Sequence, residues 1–228
     1  MATSLGTSDL SPEALEKAKT ELNEVPEEID GAIKELRLNI RAAEERGEAK
    51  ELEFIRLDDD AFLLRFLRAK KYRQENATQQ YLNYCKYRSK LPEVFEGLCL
   101  EKVRGVFEKR AVGVLEPRTK NGCKVLLFFP GRLEVDDDPL QNMDNVVGAT
   151  YLILEKLLAD PETQVHGLHL VEDWEGVGFA QMIKFQFIVR REMGKFLEIF
   201  QVPIIAYSHL YSCSSQHYDH STLTEYTV

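Results

Sequence analysis

Asp58-Asp59-Asp60-Ala61-Phe62-Leu63-Leu64-Arg65-Phe66-Leu67-Arg68-Ala69-Lys70-Lys71-Tyr72 places acids ahead of an apolar stripe and bases behind it. An Asp at the start accepts hydrogen bonds from the unpaired N–H groups of a first helical turn. Phe62, Leu63, Phe66 and Leu67 then fall on one face, and Arg65, Arg68, Lys70 and Lys71 complement the carbonyl end. The stretch predicts a capped amphipathic helix that packs against other helices. Upstream, Ser11-Pro12-Glu13 supplies a hydroxyl cap and a first-turn proline, with Leu15, Ala18 and Leu22 at helical spacing before the break at Pro26. Ile29, Ile33, Leu36 and Ile40 predict a second helix to about Gly47. Downstream, Tyr81, Leu82, Tyr84, Cys85 and Arg88 predict a helix that begins near Asn76 and stops before Pro92. Residues 11–97 thus read as an all-α module behind a disordered 1–10.

Beyond Leu100 the pattern alternates strand and helix, the mark of an α/β domain. Val112–Leu115 and Lys124–Phe129 read as strands, and Asn121-Gly122 between them favours positive φ and a tight antiparallel reversal. A long helix is expected over Pro139–Ala159, a short buried strand over Gly167–Val171, and a helix apolar almost all round over Phe179–Gln201. The fold class is therefore α/β: a helical module followed by an α/β domain over residues 98–201, which the family resemblance given below implies is an incomplete mixed-sheet domain.

Composition excludes several functions. The chain has 228 residues, 44% of them hydrophobic, and 29 Lys+Arg against 38 Asp+Glu give a net charge of −9, which argues against nucleic acid as a partner. Met1–Leu10 lacks the basic start and apolar core of a leader, and no run approaches the roughly 18 apolar residues of a membrane span, so a cytosolic protein is expected. Cys85, Cys99, Cys123 and Cys213 show no paired spacing, and no disulfide is expected. His209, Cys213, His217 and His220 do not match a structural zinc site, so no metal is expected. With no Gly-x-Ser-x-Gly, phosphate-cradling glycine loop or His-Glu-x-x-His, the chain reads as neither an enzyme nor a cofactor protein.

The opening stretch resembles the signature of the amino-terminal helical module of the CRAL-TRIO lipid-binding family. Further segments resemble the animal branch of that family, which holds cellular retinaldehyde-binding protein, the tocopherol transfer protein and the clavesins. They are Leu15-Glu16-Lys17-Ala18-Lys19-Thr20-Glu21-Leu22-Asn23-Glu24, Tyr151-Leu152-Ile153-Leu154-Glu155-Lys156-Leu157-Leu158 and Pro161-Glu162-Thr163-Gln164-Val165-His166-Gly167. The resemblance runs in order from about residue 12 to Gln201. It implies non-enzymatic binding and transfer of a small hydrophobic molecule, such as a retinoid, a tocopherol or another lipid. It also implies docking on phosphoinositide-bearing membranes by a cytoplasmic protein, peripheral on endosomal or other intracellular membranes and monomeric.

The candidate residues carry two readings each. Phe128 and Leu133, Leu152 on the long helix, Leu170 on the third strand, and Phe179, Ile183 and Phe187 on the last helix show the periodicity of any core. The resemblance implies that some of them line a lipid pocket. Glu172, after the strand ending at Val171, reads as an exposed loop acid or as a pocket acid at the carboxyl end of a strand. Arg65, Arg68, Lys70 and Lys71 read as a solvated helix end or as a membrane contact. For Arg190, Arg191 and Lys195 the resemblance implies phosphoinositide contact, since such clusters attract anionic headgroups. The competing reading of the whole chain is a ligand-free regulatory or interaction fragment that binds a protein or membrane through residues 65–73.

After Gln201 the family pattern stops. Residues 202–228 read as a non-family tail in which Ile204–Tyr211 allows one divergent strand, and the sheet is expected to expose an edge, with poor solubility or partial order. Val202 is the first residue foreign to the family, and introns that begin with GT encode valine in frame. The chain is thus expected to be a truncated product, an alternative isoform or a reading frame that runs into an intron. Transcripts across codons 201 and 202 test this, and reads that join Gln201 only to a family-like continuation would remove its support.

Overall fold

The computed structural model describes residues 10–48, 55–133, 139–178 and 204–210. These residues form two compact units. Among the described residues the first runs to Pro92 and takes back Leu158–Gly167, and the second holds the residues of Glu93–Leu157, those from Leu168 to 178, and Ile204–Leu210.

In the first unit, α1 (Pro12–Leu22) starts where the Ser11 hydroxyl accepts the Ala14 N–H at 3.2 Å, with Pro12 in the first turn, and it ends at Asn23 in the left-handed region. Leu10, read as the last tail residue, is buried with Ala14, Ala18 and Leu22 of α1 against Val165. After a 3-10 turn at Pro26–Glu28, α2 (Ile29–Glu45) buries Ile29, Ile33, Leu36, Ile40 and Ala43, the expected stripe. α3 (Asp60–Ala69) is the opening stretch, and α4 (Gln74–Lys90) follows, beginning two residues before the expected Asn76. Phe62 and Phe66 of α3 meet Tyr81 and Tyr84 of α4 edge to face, with ring centroids 5.2–5.9 Å apart. Such aromatic pairs add about 0.5–1.5 kcal/mol each beyond their burial.

The three aspartates ahead of α3 divide their tasks. Asp58 lies 3.6 Å from Arg41, Asp60 pairs with Arg37, and Asp59 is the cap, accepting the Phe62 N–H at 2.9 Å and the Arg56 Nε–H at 3.0 Å. Burial alone would raise the Asp59 carboxyl pKa. The Phe62 N–H and the Arg56 guanidinium, helped by the charge of Arg65, outweigh burial and hold it below the ordinary aspartate range.

In the second unit, two short helices, α5 (Pro92–Phe95) and α6 (Arg104–Glu108), lead into β1 (Val112–Leu115). The segment around α5 belongs to this unit because it packs on α7 (Pro139–Leu158): Phe95 meets Tyr151 edge to face at 5.0 Å, and Gly148 leaves room for Leu98 and Val103. β1 pairs antiparallel with β2 (Lys124–Phe128), as expected, and Gly122 reverses the chain at φ 80. α7 then crosses over, so that β3 (Leu168–Asp173) lies parallel to β2. α8 (Pro161–His166), between α7 and β3, belongs to the first unit.

The structure revises two expectations. β3 continues two residues past Val171, so Glu172 and Asp173 are strand residues; the ladder holds them, with Glu172 opposite Phe128. The strand allowed in the tail forms as β4 (Ile204–Leu210), parallel to β3, which gives the order β1-β2-β3-β4. The far edge of β3 is therefore paired, and the free edge among the described strands moves out to β4. The helix expected over Phe179–Gln201 lies outside the described residues.

The Asp59 cap gives a direct check. Asp59→Ala is expected to destabilise the chain by about 1 kcal/mol in urea unfolding near neutral pH. A carboxyl whose pKa folding lowers contributes stability above its unfolded pKa and loses it as pH falls through the folded value. The difference between parent and variant should therefore shrink in acid, and a difference independent of pH would rule out the charged cap.

Candidate functional site

Side chains alternate along a strand, so register sorts the sheet residues by face. Val125, Leu127 and Phe129 share one face with Leu115 and Val171 and form an apolar cluster there. Leu126 and Phe128 of β2 and Leu168, Leu170 and Glu172 of β3 share the other, and all five are buried. Along β3 burial alternates with the pleat, because His169, Val171 and Asp173 are only half-buried.

Glu172 is thus not an exposed loop acid. It is 2% exposed, at the carboxyl end of a parallel strand on the same face as Phe128 and Leu170, and it accepts the Trp174 indole N–H at 3.1 Å. The backbone around it is tightly built. Asp173 accepts the Glu175 N–H at 3.0 Å, and Gly131 after β2 approaches the Glu175 carbonyl so closely that any Cβ there would collide with it. Carboxyl ends of parallel strands are where α/β sheets receive ligands. This end groups buried apolar side chains with one buried acid on the same face of the sheet.

The other sequence-predicted pocket residues scatter. Leu152 is half-buried on α7, and Leu133 lines a cavity of about 80 Å³ with Val103, Val106, Asn145, Lys102 and Lys109. That volume is well below the roughly 300–1,000 Å³ of small-molecule pockets. Lys102 there is held by the Glu93, Val94 and Glu96 carbonyls, at 2.7, 3.3 and 3.2 Å. Phe179, Ile183 and Phe187, with Arg190, Arg191 and Lys195, lie outside the described residues.

The basic cluster of the opening stretch splits. Arg65 is buried, with its guanidinium 5.2 Å from the Phe62 ring centre. Arg68 lies in the interior, its side chain 0% exposed, and donates from Nε and Nη2 to Glu24 at 2.7 and 2.8 Å and from Nη1 to Gln164 of α8 at 2.8 Å. The Tyr72 hydroxyl donates to the same Glu24 at 2.9 Å. Burial, and after it the Glu24 carboxylate, push the Tyr72 phenol pKa far up, so it stays a donor. Arg65 and Arg68 are thus withheld from any headgroup, and only Lys70 and Lys71 of the set reach the surface, the former in part. Sequence reasoning missed Glu24, Gln164 and Tyr72, because the Arg68 partners Glu24 and Gln164 lie 44 and 96 positions away.

Among the described residues no group of His, Cys, Asp and Glu side chains is placed to hold a metal ion, and no helix is long and apolar enough to cross a membrane. Cys213, His217 and His220 lie outside those residues.

Residues 15–83 match the family model described as CRAL/TRIO, N-terminal domain. Clavesin-1 of Pongo abelii is 37% identical over 180 residues, covering 77% of this chain and 47% of the relative. An alpha-tocopherol transfer protein-like protein of Mus musculus is 34% identical over 199 residues, 86% of this chain and 55% of the relative. Clavesin-2 of Rattus norvegicus is 33% identical over 177 residues, 77% and 51%. The chain spans about half the length of these relatives. Helices and sheet follow one another in the order the sequence resemblance implied, the helical signature lies within the matched module, and the similarity continues well beyond it: the chain belongs to the CRAL-TRIO family, in its animal branch.

Proposed function

We propose that this chain binds a small hydrophobic molecule, as a carrier and not as a catalyst. The observation that carries the reading is the buried face of β2 and β3, where Leu126, Phe128 and Leu170 share one face with an acid, Glu172, toward the carboxyl ends of parallel strands. Apolar surface removed from water supplies affinity at roughly 25 cal/mol per Å². A fixed carboxylate held by the Trp174 indole supplies orientation for a ligand with a polar donor at one end. One relative is an alpha-tocopherol transfer protein-like protein, and a retinoid, a tocopherol or another lipid of that size suits the same chemistry.

In this reading the carrier works in the cytoplasm and docks peripherally on endosomal or other intracellular membranes that bear phosphoinositides. Arg190, Arg191 and Lys195 are the proposed headgroup contacts, and Lys70 and Lys71, the accessible part of the opening cluster, are proposed as further ones. Phe179, Ile183 and Phe187 are proposed to complete the ligand's apolar surroundings. A second reading, a ligand-free fragment acting through its helical unit, is favoured by one observation: the cavity that Leu133 lines, about 80 Å³, is too small for such a molecule.

Native mass spectrometry of residues 1–228 purified from cells, followed by organic extraction, separates the two. The carrier reading expects one extractable hydrophobic molecule per chain, and Glu172→Gln, which keeps the shape and removes the charge, should lower its occupancy several-fold. A chain that is folded yet yields no extractable molecule contradicts the carrier reading and favours the fragment.

A further inference from the structure

The ladder between β2 and β3 ends at Phe128 opposite Glu172, and beyond it each strand runs into a turn of its own. On the β2 side, Pro130–Arg132 forms a 3-10 turn closed by the Arg132 N–H on the Phe129 carbonyl and the Leu133 N–H on the Pro130 carbonyl, both at 3.1 Å. Arg132 ties this turn down, with its guanidinium 3.9 Å from the Phe129 ring centre and its Nη1 donating to the Arg110 carbonyl at 3.1 Å. On the β3 side, Trp174 opens a turn that the Val177 N–H closes on the Trp174 carbonyl at 3.2 Å, with Gly176 at φ 78.

The two turns meet backbone to backbone at Gly131 and Glu175. Gly131 lies outside the left-handed region that Gly122 and Gly176 occupy, so its own backbone conformation admits alanine. Only the approach forbids it: a Cβ at 131 would strike the Glu175 carbonyl, a backbone group that cannot swing aside as the tip of a side chain can. This contact has a consequence one residue away. The Trp174 indole donates to Glu172 from the position just before Glu175, so the placement of the Glu175 turn sets where that donor stands.

We infer that Gly131 is a positioning residue of the candidate ligand site: by letting its turn close on the Glu175 carbonyl, it fixes the Trp174 indole and through it the Glu172 carboxylate. This role rests on the carrier reading, since a fixed acid matters only to a molecule that meets it. A buried acid holds the polar end of a ligand in one orientation only if its own rotamer is locked by neighbours that are themselves locked. Here the lock runs from the Arg110 carbonyl through Arg132 and the Gly131–Glu175 contact to Trp174, all within the second unit.

Trp174 is the only tryptophan of the chain, so its fluorescence anisotropy decay reads this lock without a ligand. In the parent the indole should tumble with the chain, and Gly131→Ala should add a fast component while the far-ultraviolet circular dichroism stays unchanged. Gly31→Ala, where the added Cβ meets no atom of the described residues within 4 Å, should decay like the parent. Gly131→Ala should also lower the lipid carried per chain, read by native mass spectrometry, several-fold. Trp174→Phe, which removes the indole N–H, should match that loss, and the double variant should lose no more than either. Where Gly131→Ala fails to fold, Arg132→Ala, which unties the same turn without adding an atom, takes its place with the same fast component expected. A parent-like decay in the folded variant, an unchanged lipid load from a lipid-bearing parent, or losses that add in the double variant overturn the positioning role and leave the carrier reading standing. A fast component in a chain whose parent carries no lipid supports the lock and counts against the carrier.

Discussion

Arg68 is a buried cation paired with a buried carboxylate, Glu24. Both side chains are withdrawn from water, and removing charges from water costs several kcal/mol per ion unless partners replace the hydration. Here they do, through a bidentate pair, the Gln164 carbonyl on the third guanidinium nitrogen and the Tyr72 phenol on the carboxylate. These contacts join the segment after α1, the end of α3, the corner before α4, and α8. An interior charge tolerates few alternative arrangements, so the pair fixes where those pieces meet.

Its reach explains why the first unit is discontinuous in sequence. α8 lies in the chain between α7 and β3, yet Val165 fills the apolar cluster of α1 and Glu162 accepts the Ser11 N–H. Gln164 turns its amide to the Leu158 carbonyl at 2.7 Å and its oxygen to Arg68, so one side chain closes the end of α7 and completes the ion pair. The strand that carries Glu172 begins at Leu168, directly after the Leu158–Gly167 segment of that unit.

The parts that local chemistry determines were legible in the residues. Ser11 and Asp59 cap because their oxygens reach the N–H groups of the next turn, the Ile29–Ile40 stripe has only one periodicity, and Gly122 marks the reversal between β1 and β2. Long-range chemistry was not legible. Arg68 looks like its neighbours Lys70 and Lys71 on a helix end, and only the fold supplies a buried acid 44 positions away. Glu172 and Asp173 carry little intrinsic strand preference, and pairing with β2 and β4 extends β3 through them. Of the candidate ligand face, the apolar members were recognisable as buried but not separable by face until the register was known. Arg73 as the N-cap of α4 contradicts propensity outright, which is why α4 starts earlier than the sequence suggests.

The most direct test of this account is a double-mutant cycle on the pair, read by urea unfolding of the parent, Arg68→Met, Glu24→Leu and the double variant. Each single change leaves one buried charge without its partner and should cost about 3–5 kcal/mol. The double variant should lose much less than the sum, with a coupling of about 2 kcal/mol or more. Additive losses, or an Arg68→Met variant within about 0.5 kcal/mol of the parent, would contradict the claim that this pair organises the helical unit.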